Sequence, residues 1–290
     1  MVNPRPRFAV PLPGRAPLAL GERTLVMGII NVTPDSFADG GLRFDRGRAV
    51  ADGLQMIADG ADILDVGGES TRPGASPLPE DEELARVLPV VERLVREGSV
   101  PVSVDTYKAA VAREAIARGA ALVNDVSGLL YEPALAAAVA GTGAALVLMH
   151  TRGRSRDMYQ HASYADAPAE IAHELSQSMR TALDGGVPTD SLVLDPGVGF
   201  AKRAEHSWQA IARLDVLAAL GRPILVGPSR KSYLESALGS RPAAGREWGT
   251  AAAVAAAVLA GAHIVRVHGV REMADVVRVA DRIRAAAIQH

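Results

Sequence analysis

The 290-residue sequence predicts an α/β protein, a single (β/α)8 TIM barrel with a short N-terminal extension. Three observations predict it. Short apolar, β-branched runs recur about eight times from Thr24 onward. Helical stretches with apolar residues three and four apart separate them, as in "RGRAVADGLQMIAD" and "EDEELARVLPVVERLVRE". Nearly every apolar run ends on a polar residue. Runs apolar along their whole length, alternating with helices, imply a parallel sheet covered on both faces. About eight such units in roughly 250 residues is the size of a closed barrel. The alternative, an open doubly wound sheet, usually carries G-x-G-x-x-G after an early strand; "GVGFAK" at Gly197 is incomplete and late.

Residues 1–24 form the extension. They predict a hairpin that turns at "GER" (21–23) and covers the barrel bottom. Residues 25–290 form the barrel, with no interdomain linker. The first strand ends at Asn31 and leads into the polar, glycine-containing stretch "VTPDSFADGG". Four later strands, "GADILDVGG", "GAALVNDVSG", "GAALVLMH" and "GAHIVRVHG", each follow a glycine that closes the preceding helix. "PVSVDT", "SLVLDPG" and "RPILVGPSR" supply the rest. The alanine-rich "GTAAAVAAAVLAG" suits close helix packing, against either a second subunit or the barrel.

Composition excludes several classes. A net charge of −2 gives no attraction to nucleic acid or an anionic membrane. The absence of cysteine removes disulfides, thiolate metal sites and thiol nucleophiles. No apolar run approaches the roughly 20 residues that span a bilayer. Prolines interrupt the first residues where a signal peptide needs an unbroken apolar run. The expectation is a soluble, cytoplasmic protein.

In a barrel the C-terminal strand ends converge on one mouth, where active sites sit. Those ends carry Asn31; Asp65, then Glu69, Thr71 and Arg72; Asp105; Asn124 and Asp125; His150; Asp195; Ser229, Arg230 and Lys231; and Arg266 and His268. Any one of them alone reads as a helix cap or turn former. Asp125 and Glu69 read as structural groups bonding backbone amides, His150 as a hydrogen-bonded strand end, and "TRGRSR" as a solvated loop. The rest divide into two chemistries. Asp105, Asn124 and Asp195 suit a flat heterocycle with several N–H donors. Arg72, Lys231, Arg266 and His268, cationic or able to become so, suit a phosphate or diphosphate. There is no H-E-x-x-H, no G-x-S-x-G and no Walker loop.

In order along the chain, "GIINVTPDSFADGG", "DVGGESTRPGA", "SVDTYK", "NDVSG", "LDPGVGF", "GPSRKS" and "RVHGV" resemble the signatures of the dihydropteroate synthase family. The resemblance runs from about Met27 to about Val270. It implies a reaction of folate biosynthesis: 6-hydroxymethyl-7,8-dihydropterin diphosphate and para-aminobenzoate give 7,8-dihydropteroate and pyrophosphate, assisted by Mg2+. Sulfonamides would compete with para-aminobenzoate.

By that resemblance Asp105, Asn124, Asp195 and Lys231 hold the pterin, with Val126, Met149 and Phe200 around the ring. Arg266 lies on the pterin face and, with His268, reaches the diphosphate. Asn31 sits at Mg2+ and the diphosphate, and Arg72 binds the leaving group. Phe37, Thr71, Pro73 and Ser232 form the para-aminobenzoate pocket. Residues 34–41 form a lid. Arg72, Asp105, Lys231, Arg266 and His268 are the catalytic set, and the family suggests a homodimer. Three places depart from the family pattern: Gly269 stands where Asp is usual, "GFAKRAEHSW" stands where "GFGK…HN" is common, and "TRGRSRDMYQHASYAD" after His150 lacks the usual Gly-x-Pro but is similar in outline. A pterin-binding methyltransferase acting on methyltetrahydrofolate, or a non-catalytic homologue, are the competing readings.

Overall fold

The computed structural model describes residue 3 and residues 5–32, 46–72 and 74–288. Strands β1 (Phe8–Val10) and β2 (Leu18–Leu20) pair antiparallel, Phe8 opposite Leu20. The hairpin turn therefore spans residues 11–17, and not "GER", which instead links β2 to the barrel. The reason is local: Pro11, Pro13 and Pro17 have no N–H to give to a ladder, so the strands stop on either side of them.

Eight parallel strands follow: β3 (Leu25–Asn31), β4 (Ile63–Gly67), β5 (Val102–Asp105), β6 (Leu122–Asp125), β7 (Ala145–Met149), β8 (Leu192–Asp195), β9 (Leu225–Val226) and β10 (Ile264–Val267). Their order in the sheet is β8-β7-β6-β5-β4-β3-β10-β9. A parallel bridge between Leu194 and Ile224 brings β8 to β9 and closes the ring. Around it stand α1 (Arg46–Ala58), α2 (Glu80–Glu97), α3 (Ala109–Ala117), α4 (Ala134–Val139), α5 (Ala167–Asp184), α6 (Ala204–Ala212), α7 (Leu214–Ala218), α8 (Glu235–Leu238), α9 (Glu247–Leu259) and α10 (Val270–Ile288).

Strand alternation divides the apolar residues into two layers. Leu64, Val66, Val104, Val123, Leu146, Leu148 and Val265 face outward and pack under the helices. Leu25, Met27, Ile63, Leu122, Val147, Val193, Leu225 and Ile264 fill the interior. Val10, Leu12 and Leu20 of the extension join that interior cluster, beside the first residues of the strands. The extension thus floors the barrel. Buried Arg5 ties it to α10 through Asp281 at 3.0 Å and to the carbonyl of Ala262 at 3.0 Å. The alanine-rich α9 buries Ala251, Ala253, Val254, Ala257 and Val258 within the same chain.

Candidate active site

Parity places the site. Two residues beyond interior Ile63 comes Asp65; beyond Leu122, Asn124; beyond Val147, Met149; beyond Val193, Asp195; beyond Ile264, Arg266 and then His268. Asp105 follows buried Ser103 in the same way. Each strand lifts an inward-facing polar group to the mouth, above the apolar filling.

Asp65 is the hub, and sequence reasoning assigned it no role beyond a polar strand end. It is fully buried. Its Oδ2 accepts from Asn124 Nδ2 at 2.9 Å and from Arg266 Nε at 2.6 Å. Arg266 Nη2 donates in turn to Asp105 Oδ2 at 2.6 Å. The available signal was an Asp set at an inward position of an otherwise apolar strand. Asp195 Oδ1 accepts from the Gly197 amide at 2.7 Å. Lys231 comes from the loop after β9; its Nζ donates to Val198 O at 2.6 Å and lies 4.1 Å from the centre of the Phe200 ring. Two glycines shape the loop after β8, which carries Val198 and Phe200. At Gly197 (φ +66°) a Cβ would fall 2.0 Å from His150 O, and at Gly199 (φ +79°) it would fall 2.8 Å from Lys231 Cδ.

Removal from water governs the charges. It pushes the Asp105 carboxyl up to about 7, against the pull of Arg266. It pushes Lys231 down to about 7, against the pull of Asp195. Asp195 is raised for the same reason, with Lys231 opposing. Burial also opposes the Arg266 charge, but Asp65 and Asp105 outweigh it and hold the guanidinium above its ordinary value. His268 is held at about 3 by burial, then by Arg230, Arg266, Lys231 and Arg72. It is therefore neutral, not a standing cation. Its Nδ1 lies 2.9 Å from Ser229 Oγ, and its Nε2 lies 3.5 Å from Asn31 Nδ2.

A buried polar cage of alternating carboxylate, amide and guanidinium, with a further cluster of cations beside it, suits a nitrogen heterocycle bearing an anionic group. Residues 27–268, which include the whole cage, match the family described as pterin binding enzyme. The chain belongs to the pterin-binding enzyme family. A dihydropteroate synthase from Synechocystis is 43% identical over 277 residues, covering 95% of this chain and 96% of that protein. The fold superposes on dihydropteroate synthase from Xanthomonas albilineans with 4-aminobenzoic acid at a TM-score of 0.87, with 42% identity, 95% of this chain and 99% of that one. It also superposes on the Burkholderia cenocepacia dihydropteroate synthase complexed with 7,8-dihydropteroate at a TM-score of 0.86, with 41% identity, 98% of this chain and 99% of that one.

The remaining expected positions of this pterin-binding chain lie around the same mouth. Val126, Phe200 and Thr71 line one pocket, together with Tyr107, Tyr131 and Arg154. Met149 is buried at the end of β7. Asn31 and Arg72 are exposed at their strand ends, and among the described residues the Arg72 guanidinium has no hydrogen-bond or ion-pair partner. Ser232 is exposed, its Oγ 3.4 Å from the Tyr159 hydroxyl. Phe37, Pro73 and the lid at 34–41 lie outside the described residues.

Asp125 accepts from the amides of Ser127 (2.8 Å) and Leu129 (2.6 Å), and Glu69 from the Leu78 amide (3.1 Å) and Lys108 Nζ (2.6 Å), both structural as expected. His150 Nε2 lies 2.9 Å from Glu174, likewise a hydrogen-bonded strand end. "TRGRSR" is not a solvated loop. Arg152 Nε donates to Glu174 Oε1 at 3.0 Å, Nη2 donates to Glu170 at 2.7 Å, and the guanidinium lies 4.0 Å from the Tyr164 ring centre. Arg154 lies 4.3 Å from the ring centre of Tyr131. Guanidinium planes stack on aromatic faces, and these rings come from elsewhere in the chain. At Gly269, where the family usually has Asp, a Cβ would meet Glu247 Oε1 at 2.4 Å; Glu247 Oε2 holds Arg230 Nε at 2.7 Å.

Proposed function

We propose that this chain is a dihydropteroate synthase, a transferase of folate biosynthesis. It joins 6-hydroxymethyl-7,8-dihydropterin diphosphate to para-aminobenzoate and releases 7,8-dihydropteroate and pyrophosphate. The observation that carries this reading is the Asp65–Arg266–Asp105 bridge at the barrel mouth, in a chain matched over nearly its whole length by synthases. Neither a methyltransferase nor a non-catalytic homologue is favoured by those relatives.

Asp105, Asn124, Asp195 and Lys231 hold the pterin, with Val126, Met149 and Phe200 around it. Asn124 commits its amide nitrogen to Asp65, which leaves its carbonyl oxygen to accept from a ring N–H. The C–O bond between the pterin methylene and the diphosphate breaks, and its electron pair leaves with pyrophosphate. The electron-rich ring shares the resulting positive charge, and the Asp105 carboxylate stabilises it. Arg266, Arg72 and neutral His268 receive the growing negative charge. The aniline nitrogen of para-aminobenzoate then forms the C–N bond and gives up a proton; it is nucleophilic when neutral, so no strong base is required. Thr71 and Ser232 contribute to its pocket, where a sulfonamide would compete.

The residues fit Mg2+ carried in by the diphosphate. Among the described residues no group of three or more His, Cys, Asp or Glu side chains could hold a metal. Exposed Asn31 offers one amide oxygen, and a hard cation that keeps waters and phosphate oxygens needs little more. Bound there, Mg2+ would neutralise diphosphate charge. We further propose a cytoplasmic homodimer; light scattering at several concentrations tests the assembly. The activity is tested by pyrophosphate release and dihydropteroate formation from both substrates, with and without Mg2+. Release of neither product with Mg2+ present would overturn the reading.

A further inference from the structure

Lys202, 1% exposed, stands behind the wall of the site. Its Nζ meets three acceptors: His150 Nδ1 at 2.7 Å, Phe200 O at 3.0 Å and His150 O at 3.3 Å. Burying an amine is costly unless its N–H groups are hydrogen-bonded, so a residue needed only to fill this space would be apolar. Three acceptors surround Nζ, so every N–H it carries finds a partner, while burial pushes the group well below its ordinary value against the pull of Asp195. The histidine is arranged to match. Its Nε2 faces Glu174 at 2.9 Å, which places the ring proton there and turns the Nδ1 lone pair to Lys202. Burial, and then Lys202 itself, keep His150 neutral by lowering it to about 4.

On the other side of Lys202 lies the segment 198–202. Val198 O accepts from Lys231 Nζ at 2.6 Å, and the Phe200 ring lines the pocket and faces Lys231. Between Phe200 and Lys202 sits Ala201 at φ +47°, a left-handed conformation that costs a non-glycine residue roughly 1 kcal/mol. Two successive carbonyls hold this backbone: Phe200 O by Lys202, and Ala201 O by the Tyr164 hydroxyl at 2.9 Å.

We infer that Lys202 is a positioning residue: it clamps the end of β7 to segment 198–202 and so fixes the Phe200 ring and the Val198 carbonyl against Lys231. The inference rests on the reading that Phe200 and Lys231 face the pterin. A structural role elsewhere in the core would act independently of Phe200; a clamp acts through it.

The test is a double-mutant cycle read by calorimetric pterin affinity, with urea unfolding followed in parallel. Lys202→Met keeps the aliphatic stem and removes the donors. It should weaken pterin binding about tenfold in the wild-type background, the size of a buried acceptor left without its partner, and less than about twofold in Phe200→Ala. Equal losses in both backgrounds, or unchanged affinity with lowered stability, would overturn the clamp. Should Lys202→Met not fold, His150→Gln carries the same cycle, with a loss of about threefold that also vanishes in Phe200→Ala; equal losses overturn it again. Dihydropteroate formation by the wild-type chain is assayed alongside. Its absence would refute the proposed activity and leave the affinity cycle readable; an additive cycle in an active enzyme would refute the clamp alone.

Discussion

Arg266 Nε donates to Asp65 Oδ2 at 2.6 Å, from β10 to β4 across the intervening β3. Asp65 is fully buried and its other oxygen has no partner among the described residues. The same guanidinium reaches Asp105, so one cation serves two carboxylates. Arg266→Ala would strand both. Breaking a buried pair from one side costs roughly 3–5 kcal/mol, and the loss should appear in urea unfolding at pH 7. Arg266→Lys should recover only part of it, because a single ammonium cannot fork between two acceptors on different strands. A loss below about 1 kcal/mol for the alanine variant would mean that the carboxylates find other partners.

Asp105 and Lys231 set a pH window for turnover. Removal from water moves both toward about 7, the carboxyl from below and the amine from above. Below that pH Asp105 is protonated and cannot stabilise a positive charge on the pterin, so the rate rises as pH increases through about 7. Above it Lys231 loses its charge and weakens its hold on the pterin, so the rate falls. The expected kcat/KM profile is a bell with its maximum near neutrality, and the two limbs are macroscopic properties of the coupled cluster. A flat profile from about pH 6 to pH 8 would exclude the pair as the titrating groups.

The barrel and most of its mouth are legible in the sequence because both follow from period. An apolar strand that ends on Asp or Asn, as β3, β5, β6 and β8 do, announces its own register, and about eight strand–helix units match the size of a closed sheet. Asp65 is legible as a residue but not as the hub, because its partners lie 59 and 201 residues away. Arg152 reads as part of a solvated loop and Lys202 carries no role of its own in the sequence, since nothing local shows that His150, Tyr164 and Glu174 will enclose them. The hairpin turn is not legible, because "GER" resembles a turn as closely as the proline-rich stretch before it does.

Asp195 tests the pterin pocket directly. Its Oδ1 is committed to the Gly197 amide, which orients the carboxylate and leaves Oδ2 for a ligand. Asp195→Ala removes the acceptor from a closed site and leaves pterin N–H groups unpaired. Binding should weaken by roughly 2–5 kcal/mol, measured by calorimetry with a pterin. Unchanged affinity would take Asp195 out of the site.

Arg72 tests the order of bond breaking and bond making. It is exposed, without a side-chain partner among the described residues, yet near enough to His268 to help hold that imidazole neutral. An unpaired cation on the rim that acts on the leaving group contributes most when negative charge is greatest there. If the diphosphate departs before the amine attacks, that moment is the transition state. Arg72→Ala should then lower kcat by roughly 10²–10³, the effect typical of removing one charge-stabilising donor. Pterin affinity should hold, because Asp105, Asn124, Asp195 and Lys231 lie deeper in the mouth. Para-aminobenzoate should bind more weakly, since neighbouring Thr71 shares its loop. Turnover within about threefold of wild type would leave Arg72 as a solvated rim residue. A fall in pterin affinity equal to the fall in rate would mean that Arg72 grips ground state and transition state alike, and that departure of the diphosphate is not the step it serves.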